Sequence, residues 1–98
     1  MTGPHTAMPD LSTYVALIER FVGEDIDAKE FDLAYLQTFL GDARMLGEPW
    51  YPILNDLFAA CEDYVDEPAL RTDSDDLDDA QLIDAARTAR ARLAALGV

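Results

Sequence analysis

From Asp10 onward the apolar residues recur at intervals of three and four, the spacing that gathers side chains on one face of an α-helix. Leu11, Tyr14, Val15, Ile18, Phe21 and Val22 form the first stripe, and Gly23, a residue suited to ending a helix, stops it. Asp27 followed by Glu30 is a capping-box-like pair that offers acceptors to the unpaired amides of a new helix. Phe31, Ala34, Tyr35 and Phe39 line the inward side of this second helix, with Leu40 at the margin. Gly41 and Gly47 place its end within residues 42–48.

Pro49 suits a first helical turn, and Pro52 is tolerable only if the third helix begins close to Trp50 or Tyr51, because an interior proline loses a hydrogen bond and clashes. This helix is expected to run through Tyr64 or Val65. It turns Ile53, Leu54, Leu57, Phe58, Cys61 and Val65 inward and Asn55, Asp56, Ala59, Glu62, Asp63 and Asp66 elsewhere, and Pro68 closes it. Asp78 with Gln81 resembles a second capping box and opens a fourth helix that reaches about Leu96. Leu82, either Ala85 or Ala86, then Ala89, Leu93 and Leu96 repeat along it at near-heptad spacing, and Gly97 ends the pattern. With four helical stripes and no strand pattern, the expected fold is all-α: a single-domain antiparallel four-helix bundle over residues 10–98, preceded by a flexible tail at 1–9.

Composition narrows the functional classes. Half of the 98 residues are apolar, enough for one core and too much for a charge-driven disordered chain. Twenty acidic residues against seven Lys and Arg give a net charge of −13, which argues against direct binding of nucleic acid. The lone Cys61 cannot close an intrachain disulfide, and with one histidine there are too few ligands for a zinc cluster; a reducing cytoplasm fits. No apolar run is long enough for a membrane span, and residues 1–9 lack the features of a signal peptide.

Catalytic chemistry finds no foothold. His5 lies in the expected tail, and Cys61 lies on an apolar helical face where it reads as a small buried hydrophobe. A calcium loop starting at Asp73 would place Leu77 fifth and Asp78 sixth, where an oxygen ligand and glycine are required. Paired carboxylates are too numerous to mark any one pair. The reading is therefore a non-enzyme with no cofactor and no metal.

The distribution of acid says more than its total. Residues 62–79 hold Glu62, Asp63, Asp66, Glu67, Asp73, Asp75, Asp76, Asp78 and Asp79 against Arg71, a local net of −8. Asp78 and Asp79 are accounted for by a helix N-terminus, where each carboxylate contributes about 0.3–1 kcal/mol. Glu62, Asp63, Asp66 and Glu67 instead crowd a helix C-terminus, with like charges four residues apart costing about 0.2–0.5 kcal/mol per pair. They are either a solvated face or a patch for a basic partner, and the patch is the favoured reading. Arg87, Arg90 and Arg92 suit the last turns of the fourth helix, with Arg87 able to pair with Asp84. Trp50 and Tyr51 are candidates for a partner contact or for core packing.

The run from Phe21 to Phe31, then Ile53-Leu-Asn-Asp-Leu-Phe58, the acidic Glu62-Asp-Tyr-Val-Asp-Glu-Pro68 stretch and the Asp-rich entry to the last helix resemble, over residues 14–93, the colicin D immunity protein family. That resemblance implies a small antiparallel bundle made alongside a transfer-RNA-cleaving toxin, whose basic catalytic cleft it blocks in a one-to-one complex. It implies an inhibitor in which acidic side chains occupy the place of the RNA backbone. The matching positions are Asp56, Glu62, Asp63, Asp66, Glu67, Asp73, Asp75 and Asp76. The alternative is an acidic helical adaptor that docks a basic protein without inhibiting catalysis.

Overall fold

A computed structural model describes residues 9–70, 72 and 76–98. His5 and most of the expected tail lie outside the described residues, as do Asp73 and Asp75. Four α-helices follow in order: α1 (Ser12–Val22), α2 (Ala28–Leu40), α3 (Trp50–Asp63) and α4 (Asp79–Ala95), with a 3₁₀ turn at Pro68–Leu70 between the last two. Each packs on its sequence neighbour and α1 closes the ring against α4. No strand is present among the described residues, so the expected all-α bundle is what forms.

The start signals act as predicted. Asp27 Oδ1 accepts from the Glu30 amide at 2.8 Å, and Asp78 and Gln81 form a reciprocal capping box at 2.8 and 2.9 Å. Pro49 is the N-cap of α3, so Pro52 falls in the first turn, where its missing N–H leaves no bond unmade.

Three expectations about ends and faces need correction. Helix α2 ends at Leu40, ahead of residues 42–48, because Gly41 caps it by donating to Gln37 and the chain turns off toward Asp42. Helix α3 stops at Asp63, since Tyr64 turns extended to bridge Leu77; Val65 thus leaves the helical face, and Pro68 opens the 3₁₀ turn rather than closing α3. Leu40 is 72% exposed. The inward position of the last turn belongs to Phe39, which stacks on Phe58 at 4.6 Å, and the next residue lies about 100° around the helix.

The core is wholly apolar and aromatic among the described residues: Tyr14, Ile18, Phe31, Tyr35, Leu54, Leu57, Leu82 and Leu93 are fully withdrawn from solvent. Of the two alanines considered on α4, Ala86 is the buried one. Phe31 stacks on Phe21 at 4.5 Å and tilts against Tyr35 at 5.6 Å, while the Tyr35 hydroxyl donates to the Leu54 carbonyl at 2.8 Å. Cys61 is buried on α3 and burial pushes its thiol pKa up, as a small hydrophobe requires.

Beside Cys61 sits an ill-matched group at the core's edge, Asp32, whose Oδ1 is buried with no hydrogen-bond partner, as is Trp50 Nε1. Burial, followed by the Asp66 carboxylate, pushes its pKa up to about 6 against the favourable Cys61 thiol. The folded state therefore holds this proton longer than the unfolded one, so the stability Asp32 contributes at low pH is lost as pH rises through about 6. Asp32→Asn should melt close to the parent near pH 4 and above it at pH 7, the gap opening between those values and then staying level; thermal melts across that range check it.

Candidate functional site

Antiparallel packing puts the end of α3, the start of α4 and the α1–α2 turn at one pole of the bundle. The α3–α4 connector is pinned at both feet. Leu77 N donates to Asp63 O at 2.9 Å, Val65 N donates to Leu77 O at 3.1 Å, and the Tyr64 hydroxyl donates to Asp79 Oδ1 at 2.6 Å. These bonds hold the acid-bearing backbone close to α4, which like-charge repulsion alone would disfavour.

On this frame Glu62, Asp63, Asp66 and Glu67 are exposed, and Asp76, Asp78 and Asp79 follow on the returning connector and the start of α4. Asp66 meets Lys29 of α2 at 3.6 Å, an exposed pair of the kind worth only about 0–1 kcal/mol. Asp56 stands apart: it faces α4, where Arg92 donates to it at 2.8 Å, roughly two helical turns from Asp63. The structure thus gathers Glu62, Asp63, Asp66, Glu67 and Asp76, leaves Asp56 beside a cation, and does not describe Asp73 and Asp75.

A second acidic segment joins them that was not singled out from the sequence. The α1–α2 turn carries Glu24, Asp25 and Asp27, which with Asp79 rim a groove of about 380 Å³ floored by Ile26 and Ile83. Its backbone is a Schellman turn: Asp25 N donates to Arg20 O at 2.8 Å and Glu24 N to Phe21 O at 3.0 Å. Glu24 occupies the left-handed position, with φ 65°, where glycine is usual. The signal was available, because in an up-and-down bundle the first and third loops share an end, so their acids sum.

Lys29 and Arg20 stand at the acidic pole, whereas the arginines of α4 are engaged away from it, as the sequence suggested. Arg87 pairs with Asp84 at 3.4 Å, and Arg90 donates to Glu19 and to the Val98 carbonyl, both at 3.0 Å. Trp50 packs partly buried on the core, whereas Tyr51 is 45% exposed at the pole opposite the acid, so neither adds to the acidic surface. Among the described residues no cluster of His, Cys, Asp or Glu is arranged to hold a metal ion, and no helix is long and apolar enough to cross a membrane.

The family pattern for bacterial self-protective colicin-like immunity matches residues 10–93. The chain belongs to that family. The matched span of this colicin-like immunity protein takes in α1, α2, α3 and nearly all of α4, with the acidic pole inside it. Searches of curated proteins and of solved structures gave no significant match.

Glu24 gives the immunity protein a conformational cost of about 1 kcal/mol that glycine would not incur. Glu24→Gly should therefore raise the melting temperature by roughly 5 °C, read by differential scanning calorimetry.

Proposed function

We propose that this colicin-like immunity protein protects its cell by blocking a colicin-D-like ribonuclease toxin that cleaves transfer RNA. In this reading it is a cytoplasmic non-enzyme that binds one basic toxin domain per chain and touches neither nucleic acid nor membrane. Its acidic pole enters the toxin's catalytic cleft and sets carboxylates where the RNA phosphates would lie. A nuclease must cradle phosphates with Lys and Arg, and a folded protein bearing carboxylates meets the same field without offering a cleavable bond.

The observation that carries this reading is the convergence of two acidic loops on one end of a family member's fold. Glu62, Asp63, Asp66, Glu67 and Asp76 come from the α3 side, Glu24 and Asp25 from the first turn. The proposed set also includes Asp73 and Asp75 of the connector and, at its margin, Asp56, which would have to exchange Arg92 for a toxin cation. A standard interface takes about 800 Å² from each partner, an area that one end of a bundle this size can supply. The field of such a pole raises the association rate of a basic partner, and the gain falls as salt screens it beyond about 8–10 Å.

The test uses the catalytic domain of the toxin encoded beside this gene, titrated with the immunity protein in a transfer-RNA cleavage assay and by calorimetry. Combined Asp63→Asn, Asp66→Asn and Glu67→Gln should weaken the complex by about 100-fold or more and flatten its salt dependence. The same variant should melt at an unchanged or slightly higher temperature, because like-charge repulsion is relieved. An unaltered affinity would falsify the acidic pole as the inhibitory surface. Glu24→Gly should bind more weakly although it folds more stably, and this opposition separates loss of contact from loss of structure.

A further inference from the structure

The pole opposite the acid has a different character, and its chemistry is independent of the toxin-binding reading. Leu40 at the end of α2, Met45 in the α2–α3 connector and Tyr51 in the first turn of α3 are 72%, 99% and 45% exposed. Beside Met45 opens a groove of about 660 Å³ whose walls include Leu46, Tyr51 and Pro52. A smaller recess of about 130 Å³ shares Leu46 and Tyr51 and is walled further by Tyr14 and Phe39.

This surface is held in shape before any partner arrives. The Arg44 guanidinium donates to both oxygens of Asp42 at 2.9 Å and to the Asp10 carbonyl at 2.7 Å, while Asp42 also accepts from the Tyr14 hydroxyl at 2.8 Å. Those donors hold the Asp42 carboxyl well below the usual carboxylate range. Gly47, with φ 68°, then turns the chain so that its carbonyl accepts from Tyr51 N at 2.7 Å. A connector tied at both ends loses little conformational freedom on binding, which removes a main cost of association.

We propose that two copies of this chain pair through this pole about a two-fold axis, each Met45 entering the other's groove. Charge selects the occupant. Asp10, Asp42 and Glu48 stand against Arg44 around this surface, a net of −2 in a chain of net charge −13, so this end lets two copies approach with little of their acid pressed together. The acidic pole lies away by about the length of α3, roughly 21 Å, more than twice the screening length of about 8 Å at physiological salt. A basic partner is drawn to that pole and not to this one. A two-fold contact needs knob and hole on the same patch, and Met45 with its adjacent groove meets that condition; methionine also adapts to such recesses.

Sedimentation velocity and light scattering on the full chain, from micromolar to about 1 mM, decide the matter. The expected result is a concentration-dependent rise from the 10.8 kDa monomer to twice that mass, sustained or strengthened when salt is raised. Met45→Glu and Leu40→Glu, both at exposed positions and checked for unchanged circular dichroism, should each weaken pairing by about tenfold or more. Asp63→Asn at the far pole should leave it unchanged or slightly tighter. A monomer at every concentration overturns the proposal, as does a dimer indifferent to both glutamates, which would lie on another face. The toxin assay is unaffected by either result, since the acidic poles point outward in monomer and dimer alike.

Discussion

Tyr35 is the point around which the bundle is organised. Its ring meets Tyr14 at 5.7 Å and Phe31 at 5.6 Å, and its hydroxyl crosses to the Leu54 carbonyl on α3. One buried residue of α2 thereby engages both neighbouring helices, and the polar atom that comes with the ring is satisfied inside an apolar core. Tyr35 lies near the middle of α2 and Leu54 in the second turn of α3, so this bond pins the two helices together at one level. With α1 and α4 closing the ring, the order is up-down-up-down. The ends of the bundle follow from it: two acidic loops fall at one pole and the apolar connector at the other.

The acidic pole is where local rules are broken, and the breaks coincide. Glu62 and Asp63 sit in the last turn of α3 against its dipole, with Asp66 and Glu67 just beyond its end, and Glu24 takes a left-handed conformation that glycine adopts more easily. Folding gains nothing from either. Both are carried by the capping box of α4, the Tyr64–Asp79 bond and the paired backbone at Leu77, which restrain the chain where charge would spread it. A fold that departs from local preference at one surface, with compensating bonds beneath it, marks that surface as selected for something other than stability. In a member of the colicin-like immunity family, the proposed recognition of a toxin would account for that departure.

Much of the architecture was legible in advance because its causes are local. Asp27 with Glu30 and Asp78 with Gln81 act within a single turn, and the stripes Tyr14–Ile18–Phe21 and Leu82–Ala86–Ala89–Leu93 express the 3.6-residue period directly. The family resemblance rested on the same ordered segments, and the match over residues 10–93 agrees with it. Errors fell where a residue's fate depends on a distant partner. Tyr64 leaves the helix because Leu77 returns to pair with it, and Leu40 is left outside because Phe39 already fills the contact with Phe58 and Tyr51.

The chain's own order of residues determined the number of helices, most of their caps and starts, and a strongly acidic total, because capping, periodicity and charge are properties of neighbours in sequence. Which charges act together was decided only by the tertiary structure. Asp56 and Asp63 belong to one helix, yet one faces Arg92 and the other faces solvent; Glu24 and Asp79 are distant in sequence, yet they rim one groove. An electrostatic field sums over separations in space and falls off within about 10 Å, so no reading along the chain can add charges that folding alone brings within that range.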